Sequence, residues 1–244
     1  MDSSHKPKVS FLIPVLNEEK TIAKSLDSIL NIDYPNEKKE ILLALGKSSD
    51  NTDVIIEKYK SKYPTIVRTF ENHSGNTSIG RNICIDNATG VNLASVGCAN
   101  ISPEKQNFVA ETASMVFSSF IGGKNVFVQN AEFSEERFTD HISFALYKKN
   151  PVIEVGMFDP EFWCGQDAEL DLRLIQKGYK ILFTPETRVY HYKRSTLKAL
   201  FKQMYRYGVA RAKMCKKHPK TLKPFHLIGG YGLGFIRGLF NRKL

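Results

Sequence analysis

The sequence is poor in the residues that hold a small domain together through metals or disulfides. It has four cysteines among 244 residues, at positions 84, 98, 164 and 215, and no two of them form a C-x-x-C pair. This spacing argues against a zinc site or a disulfide framework and indicates a reducing compartment. No run of 18 apolar residues occurs, so no single-helix membrane span is predicted. Residues 1–8 are polar and the apolar run 9–16 is short, so we expect no signal peptide and a cytoplasmic location.

Acidic residues are absent from residues 188–244, which contain 15 Lys and Arg. The preceding 187 residues carry 20 basic and 25 acidic side chains, so the net charge of +10 comes from this last segment. Such a segment favours a polyanionic partner: an anionic membrane surface, a diphosphate or nucleic acid. Nucleic acid ranks low, because no recognisable nucleic-acid-binding module is present. Two domains are predicted, a globular one over 1–187 and a basic helical extension over 188–244.

Apolar runs alternate with helical patterns over the first hundred residues. This alternation predicts an α/β fold with a mostly parallel, Rossmann-like sheet that helices cover on both faces. Ligands bind beyond the carboxyl ends of such strands, so segments 14–18, 45–50 and 97–100 are the candidate binding segments. The predicted strands are 8–15, 40–45, 65–70 and 91–96, and the predicted helices are 18–30, a segment marked by Val54, Ile55 and Tyr59, and 78–88.

Fewer regular elements are predicted for the chain after residue 100. Residues 225–240 mix apolar side chains with five glycines. Two interpretations of this stretch stay open: it lies in a membrane interface with Arg237, Arg242 and Lys243 toward lipid headgroups, or it forms a helical hairpin that closes the core. The other predicted elements are a helix over 103–120, a strand over 125–129, a strand over 179–183 ended by Pro185, an extended segment 188–191 and a long basic helix from 195 to about 217, while 138–155 is ambiguous.

An acidic cluster follows the single Trp of the chain, in the stretch Trp163-Cys164-Gly165-Gln166-Asp167-Ala168-Glu169. Apolar residues at helical spacing come next, and Gly178 is placed where a helix would stop. Asp167 therefore lies where a helix is predicted to begin. Two interpretations are open: a general base held at a loop-to-helix junction, or an N-cap that satisfies backbone N–H groups.

Six motifs occur along the chain in a fixed order. They are SFLIPVLNEE at 10–19, SSDNT at 48–52, SIGRNICIDNATG at 78–90, VGMFD with GQDAEL at 155–170, GYK with VYH at 178–191, and QMYRY at 203–207. In this order and spacing they resemble motifs of the family 2 glycosyltransferases, which have the GT-A fold. The resemblance covers roughly residues 9–215, and the last motif is similar to the Q-x-x-R-W element of exopolysaccharide-type members.

The resemblance implies inverting transfer of a sugar from a nucleotide-diphosphate donor to an acceptor hydroxyl, with Asp167 as the base. The implied acceptor is a cell-surface or exopolysaccharide glycan, or a lipid-linked one. Further implied partners are an anionic membrane surface on the cytoplasmic face and a second glycosyltransferase subunit. The residues implied to bind the nucleotide sugar are Pro14, Asn17, Glu18, Asp50, Arg81, Gly97 and Ala99. The residues implied to contact the acceptor or the diphosphate are Gln166, Glu169, His191, Gln203 and Arg206.

Three positions depart from the family pattern, all on the donor side. Leu45 stands where the second strand of the family ends in an Asp that binds the nucleotide base. Gly97 and Ala99 stand where the fourth strand ends in a metal-binding D-x-D pair. The family implies Mg²⁺ or Mn²⁺, but these residues cannot ligate a hard cation, which takes oxygen ligands.

Two hypotheses follow from these departures. In the first, the protein is an active transferase that stabilises the leaving diphosphate with side-chain cations instead of a metal. The candidate side chains are Lys47, Arg81, His191, Arg194 and Arg206. In the second, the protein is a degenerate transferase that serves as a partner or scaffold for an active enzyme.

Overall fold

A computed structural model describes residues 6–90, 96–101, 106–118, 135–191, 193–221 and 236–237. The chain divides into two compact units, one formed by Met1–Leu93 with Lys148–Trp163 and the other by Ala94–Tyr147 with Cys164–Leu244. The elements in chain order are β1 (Val9–Val15), α1 (Ile22–Leu30), β2 (Lys39–Leu45), α2 (Thr52–Lys62), β3 (Val67–Glu71), α3 (Thr77–Asn87), β4 (Val96–Ile101), α4 (Phe108–Ser118), β5 (Arg137–Thr139), α5 (Lys149–Glu154), α6 (Gln166–Gln176), β6 (Ile181–Tyr190) and α7 (Leu197–Lys217).

The first unit is built on a three-stranded parallel sheet in the order β1-β2-β3. Val9 pairs with Lys39 and Val15 with Leu45, so the first two strands end level with each other. Leu45 also pairs with Glu71 at the end of β3. All three strands therefore reach one edge at the same height, and the loops that follow them lie side by side.

Helices cover both faces of this sheet, as the alternating pattern predicts. Ile41 and Leu43 of the central strand β2 belong to one buried cluster, together with Leu26 of α1 and Ile56 of α2. Successive side chains of a strand point to opposite faces. Leu42 and Ala44 accordingly belong to a second cluster, with Cys84 of α3.

The second unit contains a sheet in the order β4-β6-β5, in which β6 runs parallel to β4 and antiparallel to β5. Sequence reasoning predicted one sheet that included the fourth strand and two separate extended segments near residues 179–191. β6 instead runs continuously through Pro185. Its register with β4 jumps between Thr184, which faces Cys98, and Arg188, which faces Ala99. Residues 185–187 have no partner in the β4 register, as in a β-bulge, which is a position where sheets tolerate proline.

The long basic helix α7 is present and begins close to the predicted residue, with the Thr196 hydroxyl accepting from the Ala199 N–H at 3.2 Å. The domain boundary predicted between residues 187 and 188 falls inside β6 and within the second unit. No helix among the described residues is long and apolar enough to cross a bilayer. The predicted strand over 125–129 and most of the stretch 225–240 lie outside the described residues.

A buried glutamate ties the amino edge of the first sheet together. The Glu40 carboxylate accepts hydrogen bonds from the Ser10 hydroxyl at 2.6 Å, from the Thr89 N–H at 2.6 Å and from the Gly90 N–H at 3.1 Å. Burial acts to raise the pKa of Glu40, but the hydrogen bonds from Ser10, Thr89 and Gly90 outweigh it and hold the pKa below its ordinary value. The segment that follows α3 is thereby fixed to β1 and β2.

Gly90→Ala is predicted to destabilise the protein by roughly 1–3 kcal/mol, the usual range for forcing extra volume into a packed site. An added Cβ would lie 2.5 Å from the Ser10 hydroxyl and 2.7 Å from the Lys8 carbonyl oxygen, so the backbone must move. Urea unfolding of the variant measures the loss. Asp86→Ala, an exposed change on α3, is the control and should stay within about 0.5 kcal/mol of the parent. Equal stability of Gly90→Ala and Asp86→Ala would show that a Cβ at residue 90 causes no steric clash.

Candidate active site

The loops that follow β1 and β2 are joined by hydrogen bonds at the carboxyl edge of the first sheet. The Asn17 side-chain oxygen accepts from the Ser49 N–H at 2.8 Å, and the Asn17 N–H donates to the Ser48 hydroxyl at 3.2 Å. The Glu18 N–H donates to the Thr52 hydroxyl at 2.8 Å. Asn17 itself has a left-handed backbone (φ 55°), a conformation that Asn adopts more readily than most residues. Segments 14–18 and 45–50 therefore form one surface.

Asp50 lies at the centre of this junction. Its carboxylate accepts from the Thr52 N–H at 3.0 Å and from the Glu19 N–H at 3.3 Å, and from the Thr52 hydroxyl. The hydrogen bond from the Thr52 side chain is the main cause that lowers the pKa of Asp50 below its ordinary value. Asp50 is thus a joint between the two loops, and its contact with a nucleotide stays a prediction.

The same edge is apolar around Leu45, the position at which the family pattern has a base-binding carboxylate. The Leu16 side chain is 42% exposed, and a methyl group added at Gly46 would lie 3.0 Å from its Cδ1 atom. A methyl group at Gly75 would lie 3.5 Å from the other branch of the Leu16 side chain. Leu45 is half-buried beneath this surface. The carboxyl edge of the first sheet therefore presents Leu16 between Gly46 and Gly75.

The remaining predicted nucleotide-binding residues of the first unit lie on or near α3. The added Cβ of Gly80 would approach Pro14 Cβ within 3.0 Å, so Pro14 packs against this helix. The Arg81 guanidinium lies 5.0 Å from the centre of the Phe158 ring. Asn82 exchanges two hydrogen bonds with the Phe158 backbone, at 2.7 and 3.0 Å. The VGMFD motif is therefore held against α3.

Gly97 and Ala99 lie within β4, not beyond its end as the sequence predicted. Gly97 pairs with Phe183 and Ala99 with Arg188 of β6. The segment reads Val96-Gly97-Cys98-Ala99-Asn100-Ile101 and contains no carboxylate. Their contact with a nucleotide sugar stays a prediction.

The start of α6 places Asp167 one residue inside the helix. Gly165 is the N-cap residue and has a left-handed backbone (φ 72°), which favours glycine. Asp167 is therefore not the N-cap residue, and this alternative from the sequence is wrong. Asp167 is half-buried and Gln166 is buried. A carboxylate in the first turn is stabilised by the helix dipole.

The start of α6 lies against α7, since a Cβ added at Gly165 would lie 3.6 Å from Ala210 Cβ. Burial raises the pKa of the Cys164 thiol to about 11, while the charge of Arg206 lowers it and that of Asp167 raises it. Burial also raises the pKa of Tyr207, on which Arg194 and Asp167 act in opposite directions. The charges of Asp167 and Arg206 thus both reach Cys164, and those of Asp167 and Arg194 both reach Tyr207.

Gln203 contacts the same tyrosine. Its side-chain amide donates to the Tyr207 hydroxyl at 3.0 Å, one helical turn away on α7. Gln203, Arg206 and Tyr207 are three and four residues apart, so the QMYRY motif places them on one face of α7.

Glu169 has a different role from the predicted one. It is completely buried, and its carboxylate accepts from Arg173 Nε at 2.9 Å and from Lys217 Nζ at 2.8 Å, with His218 Nε2 at 3.2 Å. Burial acts to raise the pKa of Glu169, but these hydrogen bonds outweigh it and lower the pKa. The prediction that Glu169 contacts acceptor or diphosphate is therefore corrected: the carboxylate clamps α6 to the end of α7.

His191 has a buried polar atom that lacks a partner among the described residues. Its Nδ1 atom makes no hydrogen bond there, and its ring lies 5.6 Å from the Phe144 ring, centre to centre. Burial, reinforced by Lys193 and Arg194, lowers the pKa of His191 to about 4. His191 is therefore neutral at physiological pH.

Sequence reasoning missed a second buried carboxylate on α6. Asp171 is fully buried and bonds to His141 Nδ1 at 2.7 Å, to the Ile142 N–H at 3.1 Å and to the Tyr147 hydroxyl at 3.0 Å. Burial raises the pKa of Asp171 in spite of these bonds. The position of Asp171 within the apolar run after Asp167 indicates a buried carboxylate. Its partners cannot be identified from the sequence, because they lie 24–30 residues earlier in the chain.

The residues at the family's metal position do not fit a divalent cation. β4 supplies no carboxylate, and His191 offers a single nitrogen. Across the described part of the chain, no three His, Cys, Asp or Glu side chains are grouped so that they could hold a metal. Mg²⁺ and Mn²⁺ require several oxygen ligands in a near-octahedral arrangement.

The first unit has a parallel sheet covered by helices on both faces, and the second has a carboxylate in the first turn of α6. The chain matches the model of glycosyl transferase family 2 over residues 10–94 and that of glycosyl transferase family group 2 over residues 92–236. The protein therefore belongs to the family 2 glycosyltransferases and is a transferase, which confirms the family, the fold class and the enzyme class that the sequence predicted.

The chain is also similar in sequence to individual sugar-transferring enzymes. The chain is 31% identical over 242 residues to the dolichyl N-acetyl-alpha-D-glucosaminyl phosphate 3-beta-D-2,3-diacetamido-2,3-dideoxy-beta-D-glucuronosyltransferase of Methanococcus voltae, an alignment that covers 86% of this chain and 74% of that protein. It is 26% identical to the poly-beta-1,6-N-acetyl-D-glucosamine synthase of Staphylococcus aureus, covering 82% of this chain and 53% of the synthase.

Solved structures show the same fold. The mannosyltransferase PcManGT from Pyrobaculum calidifontis, in complex with GDP-Man and Mn²⁺, superposes with a TM-score of 0.66 at 14% identity, covering 97% of this chain and 70% of that one. The S. aureus TarS 1-349 structure in complex with UDP-GlcNAc superposes with a TM-score of 0.58 at 13% identity, covering 90% of this chain and 75% of that one. At these identities the likeness concerns the fold.

Glu169→Gln is predicted to destabilise the protein by roughly 3–5 kcal/mol at neutral pH, the usual cost of breaking one partner of a buried ion pair. Because the pKa of Glu169 is lowered on folding, its contribution is present above the ordinary value of 4.5 and is lost as the pH falls through the folded-state value. Denaturant unfolding at neutral pH and near pH 3 measures both effects. A difference between parent and variant that stays the same at the two pH values would contradict the ionic clamp.

Proposed function

We propose that the protein transfers a sugar, with inversion, from a nucleotide-diphosphate donor to a hydroxyl of a lipid-linked or polysaccharide acceptor. The observation that carries the proposal is the position of Asp167 in the first turn of α6, whose N-cap residue Gly165 lies against Ala210 of α7, the helix that carries Arg206. A carboxylate suits proton removal from the acceptor, and guanidinium groups suit the charge of a leaving diphosphate.

The proposed reaction is a single displacement. Asp167 takes the proton of the acceptor hydroxyl while the acceptor oxygen bonds to the anomeric carbon of the donor sugar. The bond between that carbon and the phosphate oxygen breaks, and the nucleoside diphosphate leaves with the electron pair. Attack from the side opposite the leaving group inverts the anomeric configuration.

The names of the relatives support the two substrate classes. The Methanococcus voltae relative acts on a dolichyl-linked sugar phosphate, and the Staphylococcus aureus relative makes a polysaccharide. The structural neighbours were solved with GDP-Man and with UDP-GlcNAc, which are nucleotide sugars. For this chain we propose a donor of the same class, bound along the joined loops of Asn17 and Asp50, and an acceptor reached from the cytoplasmic face of a membrane.

We further propose that side-chain cations replace the metal. PcManGT was solved with Mn²⁺, but Gly97 and Ala99 here supply no oxygen ligands. Arg194 and Arg206, with neutral His191 as a hydrogen-bonding group, are the candidates in the second unit, and Lys47 and Arg81 are those in the first. A delocalised guanidinium binds phosphate oxygens through two parallel hydrogen bonds and keeps its charge at every physiological pH.

Asp167→Asn is expected to lower kcat by about 10²–10⁴, the usual contribution of a general base, while nucleotide binding is retained. Transfer from UDP-, GDP- and dTDP-sugars to lipid-linked acceptors gives the rate, and calorimetry with the same nucleotides gives the binding. Asp86→Asn, an exposed carboxylate on α3, is the matched control and should keep the parent rate. An undiminished rate in Asp167→Asn would remove this residue from the mechanism.

Excess EDTA is expected to leave the transfer rate unchanged, because the charge of the diphosphate falls on arginine side chains. Arg206→Gln should then lower kcat in EDTA far more than the matched change Arg137→Gln at an exposed position of β5. Activity that disappears with EDTA and returns with Mn²⁺ would overturn the metal-free proposal and leave the base untouched. Absence of both nucleotide binding and transfer would favour the scaffold alternative.

A further inference from the structure

The first half of α7 exposes large apolar side chains. Leu197 is 72% exposed and Phe201 is 54% exposed, although the second half of the same helix is largely buried. The two residues are four apart, so they lie on one face of the helix. Exposed apolar groups that share a face, rather than single ones, indicate a surface that meets a partner.

Positive charge flanks these two side chains. Lys198 and Lys202 are exposed and also four residues apart, and α7 contains no acidic residue. Neither lysine has a carboxylate partner within the described ranges. We name the surface formed by Leu197, Lys198, Phe201 and Lys202 the α7 basic–apolar face.

Two neighbouring segments extend this surface. The Arg237 guanidinium lies 6.0 Å from the centre of the Tyr205 ring of α7, and Ile236 beside it is 46% exposed. The start of α4 is tied to the start of α7, because Asn107 Nδ2 donates to the Ser195 carbonyl at 2.6 Å. Phe108, which follows Asn107, is 81% exposed. The exposed acid of this first turn of α4 is Glu111.

We infer that the α7 basic–apolar face docks on the surface of an anionic lipid bilayer. Leucine and phenylalanine side chains enter the boundary between headgroups and acyl chains, while lysines remain at the level of the anionic headgroups. A second copy of the chain is disfavoured as occupant, because self-association would set Lys198 and Lys202 against their own counterparts. An acidic protein would satisfy the lysines but not require two projecting apolar side chains.

This surface extends the proposed function, since a lipid-linked acceptor presents its reactive end at a membrane. It adds the beginning of α7 to the membrane contact that the sequence predicts for residues 225–240. Vesicle binding needs neither donor nor turnover, so failure of the docking and failure of the transferase proposal are separate results.

The test is sedimentation of the full chain with vesicles of about 30 mol% phosphatidylglycerol in phosphatidylcholine, and with phosphatidylcholine alone. The parent should bind only the anionic vesicles, more weakly as salt rises from about 50 to about 300 mM. Lys198→Gln with Lys202→Gln should lower the partition coefficient about 30-fold, since each basic residue contributes at such a surface. Leu197→Ser with Phe201→Ser should lower it at least about tenfold at constant charge.

Val54→Ser with Lys58→Gln on α2 is the matched control, because it removes an exposed apolar and an exposed basic residue elsewhere. This variant should bind like the parent, and circular dichroism should show all variants folded. The inference is overturned if the parent does not bind anionic vesicles, binds neutral ones equally, or is unaffected by both α7 double changes. It is also overturned if those changes abolish only a dimer seen in analytical ultracentrifugation.

Discussion

The buried carboxylate of Glu169 is the constraint on which the proposed catalytic cluster depends. A fully buried carboxylate is tolerated only when charges and hydrogen bonds compensate its lost hydration. Arg173, Lys217 and His218 supply them, at distances of 2.6–3.2 Å from its oxygens. Since Lys217 is the last residue of α7 and Glu169 lies in the first turn of α6, the clamp fixes one helix against the other. The start of α6, which carries Asp167, is thereby fixed relative to α7, which carries the QMYRY motif.

The positions that depart from the family pattern lie at the end of β2 and in β4. The loops after β1 and β2 are cross-linked by Asn17, Asp50 and Thr52, so a ligand would meet a preformed surface. Leu45 stands where the family pattern has a base-binding carboxylate, and β4 has glycine and alanine where that pattern has cation-binding carboxylates. A family 2 transferase with these changes needs fixed positive charge near the leaving group, and Arg194 and Arg206 of the second unit are the side chains proposed to supply it.

The sequence predicts the first unit well and the second unit less well, for physical reasons. The β1-β2-β3 sheet follows from short apolar runs and helical spacing, which are local signals. Sequence patterns divide β6 in two, because a proline usually ends a strand. The register shift opposite β4 that accommodates Pro185 becomes visible only in the paired sheet. The motif predicts a ligand contact for Glu169, because a motif fixes the position of a residue along the helix. It does not show which neighbouring side chains that residue contacts. The Asp171–His141–Tyr147 network could not be derived, because its partners come from a distant part of the chain.

The central claim is that a nucleoside diphosphate is held by arginine side chains next to the carboxylate of Asp167. The most direct measurement is a crystal structure of the protein grown with a nucleoside diphosphate in the presence of EDTA. The account predicts that the terminal phosphate lies within hydrogen-bonding distance of Arg194 or Arg206, with the Asp167 carboxylate facing the space that the sugar would fill. A diphosphate bound away from both arginines, or a carboxylate turned away from that space, would contradict it.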